Sequence, residues 1–499
     1  VIARLTKLPD AAVAVALGLV SFVVLFVGYW FPPGKIFDEV YFARAAEEYL
    51  QRRYIYESTH PPLTKLLITL STMMFGGLAH GDTSYGWRFL DVVAGAVAVS
   101  LVFVLARRIT RSQLFATYAA LLFACDGMHF VQSRIATPES FVVCFSLATL
   151  YGFIRYWDAV AEAPARPVER SELRRRAGEF AIAALVCVIF TEVRFWGDAP
   201  YARVVVAVVM TAALYGGYRL WRDRPAGWQW LLFFAFAGAA LVASKWYGVM
   251  AYGVATIVVA YCAIRAWRAR EASPFPLDTV VAVAIGVIGI TYALVYIPHF
   301  VGLRDLQTLP PRPYTLTNVI DMQVGMYKYH STLVATHPYQ SVWWQWPLDL
   351  RPVLYYADYQ KGPPPTSAWI ITLPNPLLLW AGLIAVPFVG YLAWVRRDRG
   401  YVVIVLAYLL QWLPWMRSPR IAFAYHFYVD IPLVAICVAV SMQWIWERFK
   451  DVDRNATVAA IAGYLVLVML AFAYFYPVLS GMAEPTTSAD QHLWLRSWL

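Results

Sequence analysis

The chain has 499 residues, of which 60% are hydrophobic and only 14% charged. Soluble domains are about one-quarter charged, so a soluble globular protein is excluded. The formal charge of +10 is not a nucleic-acid footprint here, because membrane proteins hold Lys and Arg in their cytoplasmic connections as topology signals. Apolar stretches recur along the whole chain. Their length identifies them as membrane-spanning helices, since a bilayer core about 30 Å thick needs roughly 20 apolar residues.

In chain order, spans are expected near 11–31, 86–106, 114–125, 138–157, 179–195, 201–220, 228–246, 248–267, 277–298, 369–394, 401–415, 421–445 and 456–478. The first is read as a retained span: it is too long for a signal-peptide core and no cleavage site follows. Two families of connection alternate between the spans. One is short and basic: "RRITRS" (107–112), "ERSELRRR" (169–176), "RLWRDR" (219–224), "RAWRAR" (265–270), "RRDR" (396–399) and "ERFKDVDR" (447–454), with Arg4, Lys7, Arg155 and Arg166 beside them. This set is expected on the cytoplasmic side, with the N-terminus. The other set is longer and aromatic, and lies outside: 32–85, 126–137, 191–200, 299–368 and 416–420. "SVWWQW" (341–346) has the composition of an interfacial aromatic belt. The whole chain, 1–499, is read as one transmembrane domain. The five cysteines have no metal-ligand spacing and are read as core filler. The sequon at Asn455 falls in a basic connection and is discounted.

Chemistry concentrates in the outer connections. In "GKIFDEVYFARAAEEYLQRRYIYESTHPPLTKLL" (34–67), Asp38 is a natural cap for a helix over 39–50, and Glu39 suits the positive end of its dipole. The same carboxylate can serve as a general base toward an acceptor hydroxyl. His60, two prolines and Lys65 open a second amphipathic segment. Arg88 and Asp91 stand three residues apart at the outer end of a span, as a self-neutralising pair or with Arg88 facing a cavity. Asp126, Arg134 and Glu139 fall in "CDGMHFVQSRIATPES" (125–140), where Glu139 also fits a helix start. Lys245 interrupts an apolar region at an outer turn, where snorkelling is the plain structural explanation. Arg417, Arg420, Tyr425 and His426 lie in "PWMRSPRIAFAYHFY" (414–428), and a buried, hydrogen-bonded histidine is the plain reading of His426.

Each of these residues has an ordinary structural explanation. Together, a carboxylate pair and the cations Lys65, Arg88, Arg134, Lys245, Arg417 and Arg420 on one membrane face match glycosyl transfer from a lipid-linked sugar phosphate. The acceptor hydroxyl needs a base, and the departing phosphate needs fixed positive charge.

The quoted segment resembles the first external loop of the protein O-mannosyltransferase family. The resemblance continues in order through "DGMHFVQSRI" (126–135), "SKWYGV" (244–249), "HPYQSVWWQWPLDLRPVLYY" (337–356), "NPLLLW" (375–380) and "SPRIAFAYHFY" (418–428). It implies an all-α GT-C glycosyltransferase fold with 11–14 transmembrane helices and external amphipathic helices, in a bacterial cell membrane. It implies a polyprenyl-phosphate-mannose donor, a Ser/Thr acceptor on an exported protein with the secretion translocon as a partner, and inversion at the anomeric carbon. It implies no bound metal or other cofactor. By position, Asp38 matches the family's catalytic aspartate, Glu39 is its neighbour, and Arg88, Lys245 and Arg420 fall at family positions for phosphate or sugar contacts. From their own placement in the outer connections, Glu39, His60, Asp126, Tyr425 and His426 are expected around the acceptor and sugar, and Lys65, Arg134 and Arg417 join the other three cations at the donor phosphate. Two features depart from the family. The loop 299–368 is too short for the β-trefoil domain of eukaryotic members, and "IATPES" replaces a more apolar, Asp-containing continuation, so no role is carried over to Glu139. Competing readings are a GT-C transferase of arabinose or aminoarabinose to a lipid or polysaccharide, and a transporter or flippase. A transporter would place its charges near the bilayer midplane in related halves.

Overall fold

The computed structural model describes residues 8–163, 169–301, 304–305 and 312–498. Arg4, Lys7 and Arg166, counted above among the basic flanks, lie outside the described residues, as do 302–303 and 306–311 of the central loop. Every predicted span contains a helix, though the one expected at 369–394 begins in the strand Thr366–Ile371 and its helix starts at Pro376. Among the described residues nine helices are long and apolar enough to cross a membrane. The other predicted spans are the shorter apolar helices Asp10–Phe26, Gln113–Ala124 and Trp228–Ser244 and the charge-rich helix Arg170–Arg194. All five cysteines are unbridged.

The single domain read from the sequence comprises two compact units: residues 1–50, 67–147 and 331–499 form the first, and 51–66 and 148–330 the second. In the first, Asp10–Phe26 packs on the 27-residue helix Ser84–Thr110. Ser100 Oγ donates to the Ala14 carbonyl (2.8 Å), and Arg107 pairs with Asp10 at the other end (2.9 Å). Arg107 and Arg108 occupy the last turn of the long helix, where cations oppose the negative end of its dipole. Pro376–Arg396, Arg399–Trp412, Ile431–Phe449 and Arg454–Ser480 complete the helical part.

A small sheet stands outside the all-α expectation. Leu354–Gln360 runs antiparallel to Thr366–Ile371, whose first residues pair with Glu484–Pro485. Its signal was hidden in a loop notable for Pro, Tyr and Trp, though "LYYADYQ" has the β-prone aromatics of a strand. The sheet packs Tyr355, Trp369 and Ile371 into a core with Tyr29, Phe130 and Trp498. The belt expected at 341–346 is divided: Trp344 is exposed, whereas Trp346 is buried and stacks on His426.

The second unit contains Arg170–Arg194, Pro200–Asp223, Trp228–Ser244, Val249–Ala269, Leu277–Val295 and Leu316–Thr332. Pro200–Asp223 and Leu277–Val295 approach closely because small residues line the seam. A Cβ on Gly286 would sit 2.6 Å from Ala213 Cα, and one on Gly216 would sit 3.0 Å from the Val283 nitrogen. Gly286→Val therefore forces backbone, not a flexible side chain, to move. We expect a loss of roughly 1–3 kcal/mol, read as a lower melting temperature of the detergent-solubilised protein, with Gly217→Ala, where a Cβ meets open space, as the silent control.

Candidate active site

Asp38 immediately precedes the Glu39–Leu50 helix, and its carbonyl accepts the Phe42 N–H (3.1 Å). The preceding residue, Phe37, has φ +48°, a left-handed conformation that costs a non-glycine residue roughly 1–2 kcal/mol. Two tyrosines hold it there. Its ring stacks on Tyr355 (centroids 4.0 Å apart, 15° between planes) and meets the Tyr425 ring edge-on at 5.5 Å. Asp38 is thus a half-buried carboxylate leaving a rigid turn. Gln132 donates to the Tyr355 hydroxyl (3.0 Å). The phenol of Tyr355 is held well above its ordinary range, by burial first, then by Tyr425, Glu139 and Asp38. These groups therefore share one electrostatic environment, and the tyrosine keeps its proton.

Glu39 does something different from Asp38. It is fully buried, and its carboxylate accepts Arg88 Nε (2.6 Å) and Nη2 (2.7 Å), the Ile36 N–H (3.0 Å) and the Ala136 N–H (2.9 Å). Arg88 is equally buried, and its remaining N–H groups go to the carbonyls of Tyr29, Pro32 and Gly34. The contacts expected of Glu39 with acceptor and of Arg88 with phosphate give way to an internal, bidentate ion pair: all five guanidinium N–H groups are engaged. Asp91 is buried nearby but is not the partner of Arg88.

The other expected residues sort in the same way. Asp126 is buried as the N-cap of Gly127–Gln132, accepting the His129 N–H (2.9 Å), and its other oxygen accepts the Asn375 N–H (2.8 Å). Its role is therefore to join two segments. Arg134 is nearly buried, donates to the Val27 carbonyl (3.0 Å) and lies over the Phe130 ring (4.3 Å). Arg417 is exposed and Arg420 half-buried. Arg420 Nη2 donates to His426 Nε2 (3.2 Å), and its guanidinium lies over Trp415 (5.8 Å). An imidazole that accepts at Nε2 carries its proton on Nδ1, where the Phe423 carbonyl lies 3.0 Å away. His426 is buried, stacked on Tyr425 and packed against the tilted Trp415 ring, whose centroid lies 4.3 Å away. It orients Arg420.

In the second unit, His60 and Lys65 gather around Glu57, a residue not among the candidates expected from the sequence. Lys65 Nζ donates to the Glu57 carboxylate (2.7 Å), the Glu57 carbonyl (2.6 Å) and the His60 carbonyl (2.8 Å). This anchors the turn and replaces the expected phosphate contact. His60 Nδ1 lies 3.0 Å from Glu57 Oε1, and Thr59 donates to that oxygen through both its N–H (3.0 Å) and its hydroxyl. The cluster forms one wall of a cavity of about 510 Å³, with Tyr296, His299, Asn318 and Asp321 on the others. Lys245 is an extended break between Ser244 and the turn Trp246–Gly248, as the sequence predicts, and lies 5.5 Å from the Tyr247 ring centre. The spacing of Glu57 three residues before His60 and eight before Lys65 was the available signal. Among the described residues no three His, Cys, Asp or Glu side chains are grouped to hold a metal ion.

Burial alone would raise the Glu57 carboxyl, but Lys65 and then His60 overrule it and hold it below its ordinary 4.5. His60 is pushed below its ordinary 6.5, by burial first and by Lys245 and Lys65, against the pull of Glu57.

One model of a protein family, dolichyl-phosphate-mannose-protein mannosyltransferase, matches residues 15–189. A second, the C-terminal four TMM region of protein-O-mannosyltransferase, matches 315–498. The chain belongs to the protein O-mannosyltransferase family. The polyprenol-phosphate-mannose–protein mannosyltransferase of Mycolicibacterium smegmatis is 28% identical, with 93% of this chain and 87% of that protein covered. The protein of the same name in Mycobacterium tuberculosis is 27% identical, over 93% and 86%. Among solved structures, the Saccharomyces cerevisiae Pmt1–Pmt2 complex bound to the sugar donor aligns with a TM-score of 0.70 at 13% identity, over 99% of this chain and 93% of that one. ArnT from Cupriavidus metallidurans bound to undecaprenyl phosphate aligns at 0.52 and 13%, over 97% and 72%. The fold of this mannosyltransferase-family member is therefore GT-C.

Two outcomes check the geometry. Arg88→Ala strands a buried carboxylate and should cost about 3–5 kcal/mol, seen as loss of folded protein in size-exclusion profiles, whereas Arg420→Ala should leave the profile intact. A carboxyl whose folded value is lowered contributes stability that is complete above its unfolded value and is lost as pH falls through the folded one. Glu57→Gln should therefore melt lower at neutral pH yet lose less stability than the parent protein as the pH drops below about 4.5, as thermal melts across that range will show.

Proposed function

We infer that the chain transfers mannose from polyprenyl-phosphate-mannose to protein hydroxyls, with Asp38 as the base. The membership just described and the relatives' shared name support the donor and the protein acceptor. The observation behind the base is the Phe37 clamp, which fixes Asp38 at the mouth of a helix while its neighbour Glu39 is consumed by Arg88. In the proposed step, Asp38 takes the proton of a Ser or Thr hydroxyl. The hydroxyl oxygen attacks the anomeric carbon, the bond from that carbon to the phosphate oxygen breaks, and the lipid phosphate leaves with the electron pair. One displacement inverts the anomeric centre. Arg420, oriented by His426, is proposed to meet the charge growing on the phosphate.

The sidedness of the reading rests on charge: the basic connections are proposed to be cytoplasmic and the Asp38 loop external, in a bacterial cell membrane, where exported chains emerge from the translocon. The deciding assay gives purified protein radiolabelled polyprenyl-phosphate-mannose with a Ser/Thr peptide beside a lipid acceptor. Label in the peptide supports the reading, and label in the lipid alone rejects it. Asp38→Asn should abolish transfer without impairing donor binding, and near-normal turnover would remove Asp38 as the base. Arg420→Ala should raise the KM for donor more than that for peptide. Equal losses would reassign the arginine to folding.

A further inference from the structure

The second unit contains another cavity, which shares no lining residue with the one beside Glu57. It has a volume of about 1410 Å³, larger than the roughly 300–1,000 Å³ of ordinary small-molecule pockets. Its walls are the helices Arg170–Arg194, Pro200–Asp223 and Leu277–Val295. The lining is apolar over most of its length: Leu173, Phe180, Val188, Val204, Val208 and Val281 all face it, and each remains about half exposed. Polar groups gather at one end only. There Arg176 donates to Asp278 (3.1 Å), the Tyr215 hydroxyl donates to the same carboxylate (2.8 Å), and Arg270 and Glu271 complete the rim.

We propose that this groove holds one two-chain, zwitterionic phospholipid of the surrounding bilayer. Length is the first argument. From Arg176 to Val188 the helix rises about 18 Å at 1.5 Å per residue, and one leaflet of the hydrocarbon core is roughly 15 Å deep. A ligand with a charged head at the rim and apolar chains of leaflet length fits that dimension. Charge is the second. The rim presents both signs, with the exposed Arg270 for a phosphate and the exposed Glu271 for an ammonium group, while Arg176 and Asp278 hold each other, Arg176 also donating to Glu172 and Asp278 accepting from Tyr215. A lone lipid phosphate would satisfy only half of them. The third is the packing of the Arg170–Arg194 helix. Its side chains are mostly exposed, and it bears against Pro200–Asp223. Acyl chains would fill the wedge left between it and Leu277–Val295, so the lipid acts as a packing element for that helix.

The test is native mass spectrometry of the purified full chain, delipidated and then incubated separately with dioleoyl phosphatidylethanolamine, dioleoyl phosphatidylglycerol and undecaprenyl phosphate. One phosphatidylethanolamine should be retained under activation that strips the other two. Ala184→Trp, which fills the groove, should abolish retention. Arg270→Asn, which suits the left-handed φ of +57° at that position, should weaken it about tenfold by removing a charge-assisted contact. Arg270 is exposed, so this variant decides the matter even where the tryptophan variant fails to fold. Absence of any retained lipid, equal retention of phosphatidylglycerol, preference for undecaprenyl phosphate, a dimer in place of a lipid adduct, or retention untouched by both substitutions would each overturn the proposal.

Discussion

The first unit is organised around the buried pair of Glu39 and Arg88. Five guanidinium N–H groups and a carboxylate that accepts from two backbone amides bring together the chain at Tyr29, Pro32, Gly34, Ile36 and Ala136. In a low-dielectric interior such a pair is not chosen for net stability, because desolvation offsets most of its attraction. Its value is specificity. The carbonyls of Tyr29, Pro32 and Gly34 and the N–H of Ile36, all in the irregular turn between the first helix and Glu39–Leu50, are satisfied by the pair in this arrangement, and breaking it leaves a buried charge without a partner. The position of Asp38 follows from that arrangement.

Aromatic rings supply the second constraint. Phe37 adopts a left-handed backbone that its own side chain disfavours, and the faces of Tyr355 and Tyr425 compensate. These tyrosines come from a strand and from the 3-10 turn Ala424–Asp430 that leads into Ile431–Phe449, so three distant parts of the chain fix one turn. The Arg420–His426 contact uses the same device. A buried, stacked imidazole offers a lone pair to a guanidinium, and the guanidinium gains a direction that an exposed arginine lacks. In the second unit Glu57 has the corresponding role, since its one carboxylate orders Lys65, His60 and Thr59 beside a cavity.

Adjacent residues with the same functional group can thus have opposite roles. Asp38 and Glu39 are both carboxylates at a helix start, and the resemblance placed both at the site. Only the longer side chain reaches Arg88. The same separation runs through the cations: Arg88, Arg134 and Lys65 donate to carbonyls or to an internal carboxylate, and Arg420 donates to a histidine lone pair.

The membrane architecture was legible in the sequence because it depends on composition over long windows: each predicted span contains a helix, and the break at Lys245 lies where an apolar run meets a charge. The order of motifs was legible as well, and with it the family. The sheet at 354–371, the helix at 316–332 and the hub at Glu57 were not. Short strands and half-exposed helices have weak periodic signals, and a carboxylate three and eight residues ahead of its partners looks like any other loop residue until the fold brings them together. Which charges are used up internally was decided only by tertiary structure. Hydrogen-bond saturation is a property of groups brought together from positions tens of residues apart, such as Arg88 and Glu39, and no local pattern encodes it.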